Sequence, residues 1–180
     1  MNMPLGYVNL EEVLRNAAEL MALSARTAPK SAGQDYVVIK IISGAQISQL
    51  AEAMVQYGVE KNKRNFDRDG KNVKSSPIIL LIGLKDSQTL GLNCGACGFD
   101  SCSDCKTHQG TEFDGPQCAL RILDMGIAIG SAVKMAGILG VDNRIMYRIG
   151  VVAKKMGLIE ASFVMGIPLS ATGKNIYFDR

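Results

Sequence analysis

The chain contains no tryptophan, and its aromatic complement is five tyrosines and five phenylalanines. Its core must therefore be built mostly from aliphatic side chains. It has no uncharged apolar run of about 18 residues, the length a membrane-spanning helix needs. The nearest stretch, residues 119–141, is interrupted by Arg121, Asp124 and Lys134. The first residues lack the basic-then-apolar order of a secretory signal. These absences predict a soluble, cytoplasmic protein with no membrane partner. Neither Gly-x-x-x-x-Gly-Lys-Ser/Thr nor Gly-x-Gly-x-x-Gly occurs, so neither of these nucleotide-binding loops is expected. Repeats and low-complexity segments are absent as well.

Charge is also scarce. The net charge is +3, and it is unevenly placed. Residues 61–74 carry six bases and two acids. Aromatic residues are not interleaved with these bases as a single-strand nucleic-acid surface requires, so no nucleic-acid partner is expected. The segment reads as a solvated face, or as a patch that attracts a phosphate-bearing cofactor or an acidic redox partner.

A chain of 180 residues buries an adequate core as one domain without disulfides. Apolar periodicity predicts a helix over 9–28, with Leu10, Val13, Ala17, Leu20, Met21 and Ser24 on its inward face, capped by Asn9 with Glu12 three residues on and stopped by Pro29. A β-branched run over 35–42 predicts a strand with both faces covered. A helix over 44–57 follows, with Gly58 as its terminator, and then the basic segment, partly helical at most. Pro77 opens a second buried strand, Ile78–Leu84. Beyond residue 118 the pattern gives a long helix to 139. A further helix is capped by Asp142 or Asn143 and runs through Met156. A third strand over 161–167 is closed by Pro168. Gly126 and Gly130 share a face of the long helix and read as sites of tight packing. Helices flanking a small sheet give an α/β or α+β domain, here divided into 1–90 plus 119–180, with 91–118 as a loop-rich insert.

The five cysteines, Cys94, Cys97, Cys102, Cys105 and Cys118, all fall in residues 91–118, together with the only histidine, His108. Clustered thiols in a reducing compartment are ligands or redox groups rather than disulfides, and an odd count argues the same way. A zinc ribbon pairs two Cys-x2-Cys knuckles across about 15–20 residues. Here four residues separate Cys97 from Cys102. Zinc held by Cys94, Cys97 and a later cysteine or His108 stays open, as do inert buried thiols. A [4Fe–4S] cluster needs four thiolates. Three of them on a wrapping loop and one distant cysteine suit it. Gly95 and Gly98 permit sharp turns that bring backbone N–H groups toward sulfur. Gly115-Pro116 turns the chain so that Cys118 approaches at a helix start, which favours an anion. A Cys105–His108 nucleophile pair has nothing to orient it, and no hydrolase chemistry is expected.

Cys94-Gly95-Ala96-Cys97-Gly98-Phe99-Asp100-Ser101-Cys102 resembles the four-cysteine iron–sulfur module of electron-transfer subunits and corrinoid iron–sulfur proteins. The resemblance implies Cys94, Cys97, Cys102 and Cys118 as ligands. Cys105 is then a spare thiol or a replacement for Cys118. Residues 25–33, the following strand and helix, Asp124–Ala128, Lys155–Leu158 and Gly166-Ile167-Pro168 resemble the flavin-dependent nitroreductases. This implies an α+β nitroreductase-like sheet flanked by helices, FMN, and a homodimer. Nitroreductases usually carry an Arg-x-Ser-x-Arg phosphate grip, whereas the first helix offers only Arg15 and then Arg26. The resemblance therefore assigns the flavin contacts to Arg26, Lys30, Ser31, Lys174 and Arg180, or to the basic segment. The chain as a whole is similar to a family of uncharacterised ferredoxin-domain proteins through Cys-Gly-Ala-Cys-Gly-Phe, Asp142-Asn143-Arg144 and the tail 166–180. Together these imply an iron–sulfur redox protein coupled to an FMN-dependent reductase, serving a redox partner protein or a small-molecule electron acceptor. The alternatives are a flavin-free cluster carrier or sensor, and a zinc-stapled binding module.

Overall fold

The structure, a computed structural model, describes residues 8–178. Its frame is a four-stranded antiparallel sheet in the order β1-β2-β4-β3, formed by Val37–Ser43, Ile78–Leu84, Phe163–Ser170 and Asp142–Asn143 respectively. Five helices cover it: α1 (Leu10–Thr27), α2 (Ala45–Glu60), α3 (Phe66–Lys74), α4 (Ala119–Ile138) and α5 (Tyr147–Lys155).

Side-chain alternation along β2 sorts the layers. All seven β2 residues are buried, as an aliphatic strand covered on both faces must be. Ile78, Leu80, Ile82 and Leu84 join α1 and α4 in one core, with Met21, Met125 and Ala128. Ile79 and Leu81 point the other way into a second core, with Leu50, Met54, Phe66 and Ile149. Period-two alternation thus gives each sheet face its own helical layer. Among the described residues, no helix is long and apolar enough to cross a membrane.

The expected elements are present, with several corrections. Asn9 caps α1 through the Glu12 N–H at 3.3 Å. Gly58 does not end α2. It lies inside the helix, where a Cβ would come within 2.7 Å of the Phe66 Cβ, so its bare backbone admits Phe66. The basic segment forms α3 because Phe66 and Val73 are buried at helical spacing, and its Asp69 is buried in ion pairs with Arg68 and Arg148. Asp142 and Asn143 do not cap a helix. They pair with Ser170 and Leu169 as the edge strand β3, and α5 starts at Tyr147.

Pro168 does not close β4, which runs on to Ser170. Gly166 donates its N–H to Met146 on the β3 side. Two residues on, Pro168 turns its missing N–H the same way, so the β2–β4 ladder loses no bond there.

Gly126 and Gly130 are not sites of tight packing within the chain, since a Cβ at either meets nothing within 4 Å. The close approach lies elsewhere. A Cβ on Gly150 of α5 would sit 1.8 Å from the Val164 carbonyl oxygen, and one on Gly166 of β4 would sit 2.0 Å from Ile149. Helix α5 rests backbone to backbone on β4.

Candidate redox centre

The site is built on the excursion between β2 and α4. Its two ends are pinned together by Ser87, whose hydroxyl donates to Gln117 Oε1 at 2.8 Å. Between them the chain turns repeatedly through left-handed conformations, at Gly91 (φ 73°), Asn93 (φ 48°), Gly95 (φ 71°) and Gly98 (φ 86°). Glycine adopts these without a Cβ penalty, and asparagine tolerates them better than most residues. The loop thereby wraps around the space in front of its own thiols.

Asn93 clips the wrap shut. Its N–H donates to Cys102 Sγ at 3.3 Å, and its Oδ1 accepts the Cys102 N–H at 2.8 Å. A 3-10 turn over Cys102–Asp104 carries the chain to Cys105. The return is zipped by the reciprocal His108 and Gly115 backbone bonds, both 2.9 Å, and by the Thr107 hydroxyl on the Pro116 carbonyl at 2.8 Å. The Gly115-Pro116 peptide is cis. Cys118 then occupies the N-cap of α4.

Cys94, Cys97, Cys102 and Cys118 line one cavity, whose remaining wall is largely apolar: Leu90, Leu92, Ala96, Phe99 and Leu120. The four thiols inferred as ligands are thus brought together. Cys105 is buried but absent from that wall. Burial pushes its thiol up to about 11, helped by a hydrogen bond with Cys97 and by the neighbouring thiols. Cys118 behaves oppositely. Burial raises its thiol, but the backbone N–H groups of Leu90, Arg121 and Leu120 and the Arg121 charge outweigh this and hold it below the ordinary cysteine value. A helix N-terminus has this effect on a thiolate. His108 is exposed and lies away from the thiols, beside Asp114 and Lys154.

Among the described residues, no three Cys, His, Asp or Glu side chains converge as ligands of a single ion would. Four thiols around a cavity, rather than around a point, suit a polynuclear cluster that takes thiolates at its corners. The donor set fits that group.

The residues expected at a flavin phosphate are engaged inside the chain. Arg26 Nη1 donates to Asp35 Oδ2 at 2.6 Å and to the Val37 carbonyl at 2.8 Å. Lys30 Nζ caps the end of α1, on the carbonyls of Ala25 at 2.8 Å and Arg26 at 2.6 Å. Ser31 donates through both its N–H and its hydroxyl to Asp124 Oδ1, each at 2.8 Å. These three are brought together, but their polar groups face internal partners. Lys174 lies on the exposed tail after β4, and Arg180 lies outside the described residues. Arg26, Lys30 and Ser31 thus commit these polar groups to partners within the chain.

Sequence reasoning missed three contributors. Asn93 had only its position, one residue before Cys94, to signal it. Arg121 and Asp124 stood out only as charges three apart in an apolar helix. Arg121 is wholly buried. It donates to the Gln88 carbonyl at 2.9 Å, the Ser31 carbonyl at 3.0 Å, Asp124 Oδ2 at 3.3 Å and the Gln34 side chain, and stacks over Tyr36 at 4.7 Å. The pair ties the 31–36 segment to the helix that begins at Cys118.

A family model described as "uncharacterized protein containing a ferredoxin domain" matches residues 114–180, from just before Cys118 to the C-terminal residue. A protein of Archaeoglobus fulgidus, described as an uncharacterized protein, is 52% identical over 171 residues, covering 94% of this chain and 92% of that one. The chain belongs to the ferredoxin-domain family. The matched part of this ferredoxin-domain protein holds only one of its five cysteines, Cys118.

Solved structures similar to it include nitroreductases. One is the FMN-dependent nitroreductase NfnB from Mycobacterium smegmatis, at TM-score 0.60 and 12% identity, covering 88% of this chain and 78% of that one. Another is nitroreductase CinD from Lactococcus lactis, at TM-score 0.60 and 13% identity, covering 96% and 86%. At such identities the likeness concerns architecture. The ferredoxin-domain protein has a nitroreductase-like α+β fold.

Proposed function

We propose that this protein is an iron–sulfur redox protein, with Cys94, Cys97, Cys102 and Cys118 holding a [4Fe–4S] cluster that passes single electrons. The observation that carries this reading is the placement of those four thiols on one apolar-walled cavity. When bound, the cluster accepts and gives one electron at a time. The chain contributes the rest. Asn93 N–H already donates to Cys102 Sγ, and the first-turn N–H groups of α4 face the Cys118 sulfur, which disperses anionic charge. Leu90, Leu92 and Phe99 give the site an apolar wall. Cys94 is exposed, which puts one corner of the site within reach of a redox partner protein or a small-molecule acceptor in a reducing, cytoplasmic setting. Anaerobically prepared protein is expected to contain about four irons and four sulfides per chain. A colourless protein with one chelatable zinc overturns the reading in favour of a zinc-stapled module.

A second reading, an FMN-dependent reductase fed by the cluster, is favoured by the fold and by the FMN named for similar structures. It requires a phosphate site other than the Arg26–Lys30–Ser31 arrangement, where a dianion would have to displace Asp35 and Asp124. Titration with FMN separates the two. Stoichiometric binding with quenched flavin fluorescence establishes the reductase reading, and no binding leaves the flavin-free carrier.

We further propose a homodimer formed through the outer face of α1 and α4. That face exposes Leu20 and Leu23 on α1 and Leu123 and Ile127 on α4, with Leu23 60% and Leu123 58% exposed. Each glycine inside a helix costs about 1 kcal/mol relative to alanine. Gly126 and Gly130 have no intrachain neighbour that requires them, whereas a crossing helix of a second copy does. Gly130→Leu is expected to convert dimer to monomer in light scattering without loss of helical signal. A Gly130→Leu protein that remains dimeric eliminates this face.

A further inference from the structure

Arg121 and Asp124 form a buried charge pair that takes no part in holding the ligands. Burying an ion pair costs several kcal/mol per ion before its partners compensate, and an aliphatic side chain would pack the same helix more simply. Arg121 is 0% exposed and Asp124 is 4% exposed.

The pair is oriented with respect to the thiols. Arg121 follows Cys118 by one helical turn, so the two lie on one side of α4, and the Arg121 N–H bonds the Cys118 carbonyl at 3.0 Å. Asp124 lies a further three residues along the helix. Its Oδ1 is occupied by Ser31 and its Oδ2 by Arg121. Along α4, Arg121 is therefore nearer to Cys118 than Asp124 is. Inside a protein, charges interact far more strongly than in water, and salt screens them little.

We propose that Arg121 and Asp124 are positioning charges that set the reduction potential of the group held by Cys118, Arg121 raising it and Asp124 lowering it. The proposal rests on the cluster reading above. Reduction adds one electron, supplied by a low-potential donor, and makes or breaks no bond at the ligands. It leaves the centre one unit more negative. A buried cation nearby stabilises that state, and a buried carboxylate opposes it.

The test is a redox titration of the full chain, loaded anaerobically with iron and sulfide, using dithionite as the reductant and visible absorption as the readout. Arg121→Gln is expected to shift the midpoint to more negative potential. Asp124→Asn, which retains the Oδ1 acceptor for Ser31, is expected to shift it to more positive potential. Arg121→Lys keeps the charge and stays near the wild-type value. Both shifts persist at high salt. Opposite signs are what a merely structural role cannot produce, because loosened packing shifts both variants alike. Unchanged midpoints, or shifts of one sign in both, overturn the proposal while leaving the cluster in place. If Arg121→Gln does not fold, Asp124→Glu, which keeps the charge, is set beside Asp124→Asn: a wild-type midpoint in the first and a positive shift in the second support the proposal, and equal shifts in both overturn it. A wild-type chain that takes up no iron and sulfide refutes the cluster reading instead.

Discussion

Replacing Cys118 by serine is expected to abolish cluster binding, whereas replacing Cys105 by alanine leaves it intact. Both thiols are buried, and both lie in the same short segment of chain. Their surroundings separate them. Cys118 opens onto the cavity shared with Cys94, Cys97 and Cys102, at a helix N-terminus whose N–H groups favour its thiolate. Cys105 is buried against Cys97, and burial, the hydrogen bond with Cys97 and the neighbouring thiols push it up to about 11, which favours its protonated form. Iron content in anaerobic preparations should fall from about four per chain to below about one in Cys118→Ser, Cys94→Ser, Cys97→Ser and Cys102→Ser. It should stay at the wild-type level in Cys105→Ala. Iron retained by Cys118→Ser and lost by Cys105→Ala would reverse the assignment.

The largest effect on stability is expected at Gly150. An alanine Cβ there falls 1.8 Å from the Val164 carbonyl oxygen and 2.5 Å from its carbon, both backbone atoms of β4. Backbone cannot turn aside as a side chain can, so α5 has to lift from the sheet and open the core around Ile149, Val152 and Met54. The loss should be about 3 kcal/mol or more, at or beyond the upper end of overpacking costs. It exceeds the gain of about 1 kcal/mol that alanine brings to a helix. Gly137→Ala, in α4, serves as the control. Its Cβ meets nothing within 4 Å, so it should not destabilise the protein. Urea unfolding of the two variants compares them directly. For a chain of this size each kcal/mol corresponds to roughly 2–4 °C in Tm. Equal stabilities for Gly150→Ala and Gly137→Ala would contradict the packing of α5 on β4.

Most element positions were legible because they depend on local pattern. Apolar periodicity located α1 but only partly its inward face: Ala17 and Met21 are buried as expected, whereas Leu10, Val13 and Leu20 are exposed and Leu14 and Ala18 complete the buried stripe. The aliphatic run of β2 signals a strand covered on both sides. The errors occurred where a residue's role depends on a distant partner. Asn143 looks like a helix cap until Leu169 pairs with it, and Pro168 looks like a stop until its missing N–H is seen to face away from β2.

The same division holds at the redox centre. Sequence alone determined that the thiols belong together, that glycines at 95 and 98 let the loop wrap, and that a helix start follows Cys118. These are consequences of spacing and backbone freedom over a few residues. The tertiary structure decided the rest: that Cys118 lines a cavity with Cys94, Cys97 and Cys102, that Arg26, Lys30 and Ser31 are occupied by Asp35, carbonyls and Asp124, and that Arg121 is a buried charge one turn beyond Cys118. Each depends on which groups meet across long stretches of chain. Arg121 and Gln34, for instance, are 87 residues apart. Spacing records a thiol's neighbours in the chain, but its environment is set by the elements that fold against it.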